Sequence, residues 1–367
     1  MAVPLLLHVF PTFAVGGAQM RLVAIANRFG QRFRHAIIAM DGNVAAAEQL
    51  LPELAVQYPQ PAIRKGHTLG NVRRFAALLR KLRPDVLVSY NWGSIEWAMA
   101  NLLVGRPHLH IEDGFGPEER DRQLPRRVWI RRLFLRRATV ALPSRTLERI
   151  AADIWRLPRR NLHYLPNGVD LSRFAPEANG ELSPWPRDAP VVGTVAALRA
   201  EKNLSRLLHA FTVLRRTQPA RLVIVGDGPE RPALAALAAQ LGIAADVVFT
   251  GHMAAPQRAY RHFDVFALSS DTEQMPLSVL EAMAAGLAVA STDVGDVAAM
   301  LAQENRPFVV AKDATALAGA LLSVLCQPAL RAAVGAANRA RAVAQFDQER
   351  MFASYAALFD GLAATAA

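Results

Sequence analysis

Ser269-Ser270-Asp271-Thr272-Glu273-Gln274-Met275-Pro276-Leu277-Ser278-Val279-Leu280-Glu281-Ala282-Met283-Ala284-Ala285-Gly286 is the stretch whose reading decides the fold. The apolar run Val265-Phe266-Ala267-Leu268 leads into it and predicts a buried strand. Small polar residues break that strand. Pro276 suits the first turn of a helix, where its missing N–H costs nothing. Leu277, Leu280 and Ala284 recur at helical spacing, and Gly286 closes the helix. The stretch is therefore strand, loop, helix, with Glu273 in the loop and Glu281 on the helix. Free N–H groups and the positive dipole end at the helix start suit an anion such as a diphosphate. Carboxylates there would repel the anion itself. They make sense as acceptors for hydroxyl groups flanking it. A diphosphate with hydroxyls at both ends describes a nucleotide-sugar.

Outward from this stretch the chain alternates strands and helices, the pattern of a parallel sheet covered by helices. In the N-terminal half, strands are expected at 5–10, 35–40, 85–89, 109–112, 138–142 and 162–165. Helices are expected at 18–29, 71–82 and 96–104, and at 145–155 behind an N-cap at Ser144. Residues 172–190 hold four prolines and no periodicity, and read as a linker. The alternation then restarts with strands at 191–196, 221–225, 247–250, 264–268, 287–291 and 308–310. An Ala-rich helical region from Ala314 to about Gly361 breaks near Gln327-Pro328 and Phe346-Asp347. The expected division is 1–171 as an N-terminal acceptor-side domain, 172–190 as linker and 191–345 as a nucleotide-sugar-binding domain. Residues 346–367 form a C-terminal helix that can pack back on the N-terminal domain. The fold class is α/β, with two doubly wound parallel-sheet (Rossmann-like) domains. The ligand is expected in the interdomain cleft, at the carboxyl ends of the strands.

Bulk properties narrow the function. A chain of 367 residues, 52% hydrophobic and 20% charged, suits a two-domain globular enzyme and not a disordered chain. No apolar run reaches the ~18–20 residues that span a bilayer, and the N-terminus lacks the basic region of a signal peptide. Cys326 is the single cysteine, so neither an intrachain disulfide nor a cysteine-based zinc site is available. A cytoplasmic location is expected. The net charge is +11, almost all of it from arginine, since only Lys65, Lys81, Lys202 and Lys312 are lysines. Coding bias explains such a composition; an anionic ligand, an anionic membrane surface or nucleic acid are the functional readings. A nucleic-acid binder would need a zinc module, recognition helix or RNA-binding aromatic signature, and the sequence has none.

Each remaining motif has two readings. Gly16-Gly17-Ala18 follows the first strand and opens a helix; it is either a tight turn or a close backbone approach to a phosphate. Arg199-Ala200-Glu201-Lys202-Asn203 follows the first strand of the second half. Its two cations can grip a diphosphate, and the alternative is a solvated loop before a helix capped by Asn203. Gly226-Asp227-Gly228-Pro229 and Pro166-Asn167-Gly168-Val169-Asp170 are both explained by turn chemistry, with ligand contact as a secondary role. His108, His110, Glu112 and Asp113 cluster before Gly114-Phe115-Gly116. A metal site is disfavoured because adjacent loop groups need not converge, and a substrate-facing acid or hydroxyl-binding group is the better reading. Arginines 120, 122, 126, 127, 131, 132, 136 and 137 interleave with Val128, Trp129, Ile130, Leu133, Phe134 and Leu135. The two sets do not separate into clean helix faces. Contact with an anionic membrane and an ordinary helix with solvated arginines both remain open.

Taken in order, these motifs resemble the family 4 retaining glycosyltransferases of GT-B architecture (glycosyl transferases group 1). The matching residues are Gly16-Gly17-Ala18, Pro166 to Asp170, Arg199 with Glu201-Lys202-Asn203, Gly226 to Pro229, and the pair Glu273 and Glu281 with the trailing Ala282-Met283-Ala284-Ala285-Gly286. The resemblance covers nearly the whole chain. It implies that Arg199 and Lys202 hold the donor diphosphate and stabilise the departing nucleoside diphosphate. It implies that Glu273 binds donor-sugar hydroxyls and Glu281 the ribose hydroxyls. Backbone near Gly16, Gly17 and Gly226, and the segment Gln274, Met275, Pro276 and Leu277, then line the donor. The chain departs from the family at Gln19, where a Glu is frequent. The family's histidine near the sugar has two candidate positions here, His110 and Asp113. No metal or other cofactor is expected.

The resemblance implies a retaining transfer of a sugar from a UDP- or GDP-linked donor to an acceptor hydroxyl, by front-face attack. The expected acceptor is a glycan or lipid-linked oligosaccharide in exopolysaccharide or lipopolysaccharide synthesis, at the cytosolic face of the inner membrane. A nucleotide-sugar epimerase or a phosphorylase of the same fold is the alternative, distinguished by product analysis. A nucleic-acid-binding protein, distinguished by steeply salt-dependent binding, is the more distant one.

Overall fold

The structure, a computed structural model, describes residues 3–64, 66–119, 122–174 and 185–365. Residues 175–184 of the expected linker, and Arg120 of the arginine-rich run, lie outside them. The chain divides into two compact units: Met1–Pro166 with Met351–Ala367, and Asn167–Arg350.

Among the described residues the first unit builds a seven-stranded sheet from β1 (Leu5–Phe10), β2 (Arg34–Ala39), β3 (Val56–Gln57), β4 (Val86–Tyr90), β5 (His108–Ile111), β6 (Thr139–Leu142) and β7 (Leu162–Tyr164). All pairings are parallel, in the order β3-β2-β1-β4-β5-β6-β7. Every residue of β1 and β4 is buried, as expected for central strands covered on both faces. The helices are α1 (Gly17–Phe29), α2 (Thr68–Leu82), α3 (Ile95–Asn101), α4 (Pro125–Phe134) and α5 (Arg145–Arg149). The edge strand β3 escaped the sequence reading, because two residues carry no alternation to detect. The helix expected over 145–155 begins as read, with Ser144 accepting a hydrogen bond from the Leu147 N–H at 3.0 Å. It then widens into a π-helical turn over Ile150–Ile154.

The second unit repeats the plan with β8 (Val191–Val195), β9 (Arg221–Val225), β10 (Val247–Gly251), β11 (Val265–Leu268), β12 (Ala288–Thr292) and β13 (Val309–Val310). Its order is β10-β9-β8-β11-β12-β13, again all parallel. Its helices are α6 (Leu204–Arg215), α7 (Arg231–Gln240), α8 (Leu277–Ala284), α9 (Val297–Met300), α10 (Ala314–Leu325) and α11 (Pro328–Gln345). Gly286, at φ +75°, ends α8 as expected, its N–H bonded to the Met283 carbonyl at 3.0 Å. Pro276 differs from expectation. It stands at the N-cap with extended backbone, and its carbonyl accepts the first helical bond, from Val279 at 3.1 Å. The helix α12 (Gln348–Ala364) carries the chain into the first unit. There Phe352, Tyr355 and Phe359 join Leu6, Phe10 and Phe33 in one apolar core.

In both sheets the order reverses once, between β1 and β4 and between β8 and β11. Loops leaving two such strands run in opposite directions, so a crevice opens at their carboxyl ends, where doubly wound sheets bind ligands.

Candidate functional site

The reversal point of the second sheet gathers Arg199, Lys202, Glu273 and their supports. The loop after β8 and the loop after β11 are clamped together. The Asp271 N–H donates to the Glu201 carbonyl at 2.9 Å, and the Ser269 hydroxyl donates to the Lys202 carbonyl at 3.0 Å. Asn203 sits at φ 42°, a left-handed conformation that asparagine tolerates. From there its side chain accepts from the Arg206 N–H at 3.1 Å, capping α6, and donates to both oxygens of Asp271 at 3.1 Å. Arg206 completes the clamp, donating to the Ser269 carbonyl at 2.7 Å and to Asp271 at 2.6 Å.

On this clamp the Lys202 ammonium donates to Glu273 Oε1 at 2.6 Å, and the Ser270 hydroxyl donates to the same oxygen at 2.7 Å. Arg199 is exposed, and its guanidinium makes no ion pair or hydrogen bond to any described residue. The site therefore offers one neutralised cation, one free cation and one oriented carboxylate within two adjoining loops. That set can hold a polyanion beside a hydroxylated group.

The Glu273–Gln274 turn is fixed from the β12 side. The Asp296 N–H donates to the Gln274 carbonyl at 2.9 Å, and the Thr292 hydroxyl donates to the Ser270 carbonyl at 2.7 Å. Gly295, at φ +53°, packs so closely that an added Cβ would collide with the Glu273 carbonyl. Gly226, at φ +128°, lies against the Ala196 carbonyl, and a Cβ on Gly228 would come to 2.5 Å from the Leu198 carbonyl. Thus Gly226 and Gly228 let β9's exit loop approach β8's. Gly295, Arg206 and Asp296 were missed by the sequence reading. The turn Asp293-Val294-Gly295-Asp296 after a buried strand is a signal for Gly295 and Asp296; Arg206, on α6, carries none.

Farther along α8, Glu281 accepts from the Tyr260 hydroxyl at 2.6 Å. Burial raises the Glu281 pKa, while Tyr260 and then Arg173 oppose that rise. Met275 is buried, and its carbonyl accepts from the Asn167 side chain at 3.0 Å. Within the second unit, that bond ties Asn167 to the start of α8. Gln274, Pro276 and Leu277 are its neighbours on the same segment. Glu273 and Glu281 stand on different supports and do not form a pair.

In the first unit, Gly16 is the N-cap of α1, and the Gln19 side chain folds back to the Thr12 carbonyl at 2.9 Å. One turn further, Arg21 grips Asp113 in a two-pronged pair at 2.7 and 2.9 Å. Burial opposes the Arg21 charge, but Asp113 overcomes this and raises its pKa. Asp113 stays partly accessible at the carboxyl end of β5. His110 does not. It is fully buried, with Nδ1 2.8 Å from the Ser89 hydroxyl, so it cannot touch a ligand from solution in this conformation. Glu112 turns away from Asp113 to Arg131, whose Nε donates to it at 3.3 Å. The 108–113 cluster is thus split among separate partners. Among the described residues no group of three or more His, Cys, Asp or Glu side chains is arranged to hold a metal ion.

Two doubly wound parallel-sheet units, with paired loops at the reversal point of the second, define the GT-B architecture. The sequence matches the family model Glycosyltransferase Family 4 over residues 15–173 and the model Glycosyl transferases group 1 over residues 178–341. The chain belongs to this glycosyltransferase family. It is 33% identical over 219 residues to the GDP-mannose-dependent alpha-(1-6)-phosphatidylinositol monomannoside mannosyltransferase of Mycolicibacterium smegmatis, covering 56% of this chain and 57% of that one. It is 29% identical over 209 residues to the lipopolysaccharide core biosynthesis glycosyltransferase LpsE of Rhizobium meliloti, covering 57% and 59%. The similarity thus spans little more than half the length of these relatives. The crystal structure of Anabaena HepE in complex with UDP superposes with a TM-score of 0.80 over 98% of this chain and 100% of that one. At 19% identity that likeness is one of fold.

Proposed function

We propose that the protein is a retaining glycosyltransferase that moves a sugar from a UDP- or GDP-linked donor to an acceptor hydroxyl. The observation that carries this reading is the clamp at the reversal point of the second sheet, with Arg199 unpaired and Lys202 held on Glu273. Arg199 and Lys202 take the diphosphate. As the bond from the anomeric carbon to the diphosphate oxygen breaks, negative charge grows on the leaving group, and fixed cations there lower the barrier. Glu273, released from Lys202 by the phosphate, accepts a hydroxyl of the transferred sugar. Glu281 accepts the ribose hydroxyls. The acceptor oxygen attacks from the face that the diphosphate leaves, and its proton passes to the departing phosphate oxygen, so the anomeric configuration is kept. No metal ion is required on this reading, because Arg199 and Lys202 supply the charge.

The donor base and acceptor class follow the relatives. One is GDP-mannose-dependent and acts on a lipid-linked mannoside, and another serves lipopolysaccharide core synthesis. A surface glycan or lipid-linked acceptor fits, as does contact with the cytosolic membrane face. Trp129 and Leu133 on α4 are 65% and 63% exposed, beside Arg126 and Arg132, a mixture suited to an anionic lipid surface. No single helix among the described residues is long and apolar enough to cross a membrane.

The test is release of GDP or UDP from GDP-mannose and UDP-glucose in the presence of a lipid-linked mannoside or a lipopolysaccharide core acceptor, with the product anomer assigned by NMR. An α-linked product from an α-linked donor supports the reading, and a β-linked product overturns the retaining step. Interconversion of donor sugars without transfer would make the protein an epimerase.

A further inference from the structure

The first unit has a second concavity, at the end of its sheet opposite Asp113. It encloses about 410 Å³ at the amino ends of β5 and β6, and its polar lining comes from Asn101, Arg106, His108, Arg137, Thr139 and Thr365. Among the described residues no carboxylate lines it. The guanidinium groups of Arg106 and Arg137 make no ion pair or hydrogen bond to any described residue. Asn101 braces the turn that presents Arg106: its amide donates to the Arg106 carbonyl at 2.8 Å, and its oxygen accepts from the Arg106 N–H at 3.0 Å. Two cations on a braced rim, with no balancing acid among the described residues, make an anion site.

The floor of the pocket sharpens which anion. His108 is 7% exposed. Its Nε2 lies 2.7 Å from the Ser89 hydroxyl, which lies 2.8 Å from His110 Nδ1. His110 Nε2 in turn lies 3.6 Å from Glu112 Oε2. A hydroxyl donates one proton, so it can donate to only one of the two rings. Placing the hydrogen of a neutral His110 on Nε2, which nears the Glu112 carboxylate without a hydrogen bond to it, leaves His110 Nδ1 as the acceptor from Ser89. His108 Nε2 must then donate to Ser89, and His108 Nδ1 is left as a bare acceptor with no partner among the described residues. Burial and, next, the neighbouring His110 hold the His108 pKa down at about 3, so the ring stays neutral near pH 7. The pocket therefore presents cations at its rim and a hydrogen-bond acceptor at its floor.

We propose that this pocket is a binding site for a protonated phosphate, either inorganic hydrogen phosphate or a phosphate monoester. Its unprotonated oxygens meet Arg106 and Arg137, and its P–O–H donates to His108 Nδ1. Sulfate and phosphodiesters carry no such proton near neutral pH and leave His108 Nδ1 unpaired, at the cost of a lost hydrogen bond in a buried place. The group can come from a soluble ester or from the headgroup of a lipid such as phosphatidic acid.

Calorimetric titration of the full chain at pH 6.5 with inorganic phosphate, glycerol 3-phosphate and sulfate tests this, with Arg199→Ala as the background to silence the nucleotide site. Flotation with vesicles containing phosphatidic acid or phosphatidylglycerol separates a lipid source from a soluble one. The expected result is saturable binding of phosphate, at least about tenfold weaker binding of sulfate, and loss of both in Arg106→Ala/Arg137→Ala. That double variant should keep the wild-type melting temperature and, with Arg199 restored, its nucleotide affinity. Selective retention on phosphatidic acid, competed by phosphate, assigns the lipid source. Equal affinity for sulfate, unchanged binding in the double variant, or no binding of any phosphate monoester in either assay overturns the proposal.

Discussion

The Lys202 ammonium and Glu273 carboxylate, 71 residues apart in sequence, meet at 2.6 Å with 25% and 11% of their side chains exposed. Two groups assigned to different parts of one donor thus neutralise each other before the donor arrives. The pair keeps the carboxylate oriented by Ser270 and the ammonium from wandering into solvent. On the proposed function, a diphosphate displaces Glu273 from Lys202, and the freed carboxylate then accepts from a sugar hydroxyl.

It follows that Lys202→Ala harms function more than stability. Ser270 still donates to Glu273, so loss of this partly buried pair should lower stability by only about 1–3 kcal/mol. Transfer should fall by about 100-fold or more, the loss typical of removing one transition-state charge partner. Thermal melts alongside turnover measure both; near-wild-type turnover would sink the assignment.

Gly295→Ala acts from outside the site. At φ +53° an L-residue is strained, and its Cβ would strike the Glu273 carbonyl. A destabilisation of about 1–3 kcal/mol is expected, together with weaker nucleotide binding as the Glu273–Gln274 turn moves. Chemical denaturation and a nucleotide titration check it, and an unperturbed turn would show as unchanged affinity.

The buried Arg131 is the clearest structural charge. It donates to Glu119 at 3.0 Å through both terminal nitrogens, and it lies 5.0, 5.3 and 4.8 Å from the ring centres of Trp92, Phe115 and Trp155. Arg131→Leu leaves Glu112 and Glu119 without it and should cost about 3–5 kcal/mol. Burial pushes the Glu119 pKa up, but Arg131 and Arg127 together hold it below the usual carboxylate range. A depressed folded pKa gives stability that is present above the unfolded value and lost as pH falls through the folded one. Wild type should therefore lose stability on acidification below the ordinary carboxylate range, more steeply than a Glu119→Gln variant. Parallel slopes would contradict this.

How far the sequence carried the reading differs by element. β11 was legible as an unbroken apolar run and β1 as one broken only by His8, both too short for a helix and bounded by turn signals. The loops bearing Arg199, Lys202 and Glu273 were legible as an ordered set of motifs. Their mutual contact was not, because it depends on β8 and β11 being neighbours, a consequence of strand order. Arg131 was invisible among arginines of identical spelling. Its aromatic surroundings come from three distant segments. His110 looked available in sequence and proved sealed, since its strand is covered on both faces.

Glu281 gives the opposite pH signature to Glu119. Burial raises its pKa in the folded state. A raised folded pKa gives stability that is full below the unfolded value and lost as pH rises through the folded one. Glu281→Gln, which still accepts from Tyr260, should thus be more stable than wild type at pH 8, by about 1 kcal/mol, with the gap closing towards pH 4. Nucleotide affinity should drop about tenfold if the carboxylate holds the ribose. Melting curves across that range, with a nucleotide titration at pH 8, decide it.

The central claim is that the donor's diphosphate is held at the reversal point of the second sheet by Arg199 and Lys202. Arg199 is the cleanest probe, because its side chain has no partner among the described residues to lose. The direct measurement is calorimetric titration of GDP, UDP, GDP-mannose and UDP-glucose into wild type and Arg199→Ala. The account predicts saturable binding of at least one pair by wild type. It predicts at least a tenfold loss in the variant, with its melting temperature unchanged. No binding of any of the four by wild type, or equal affinity in the variant, would contradict it.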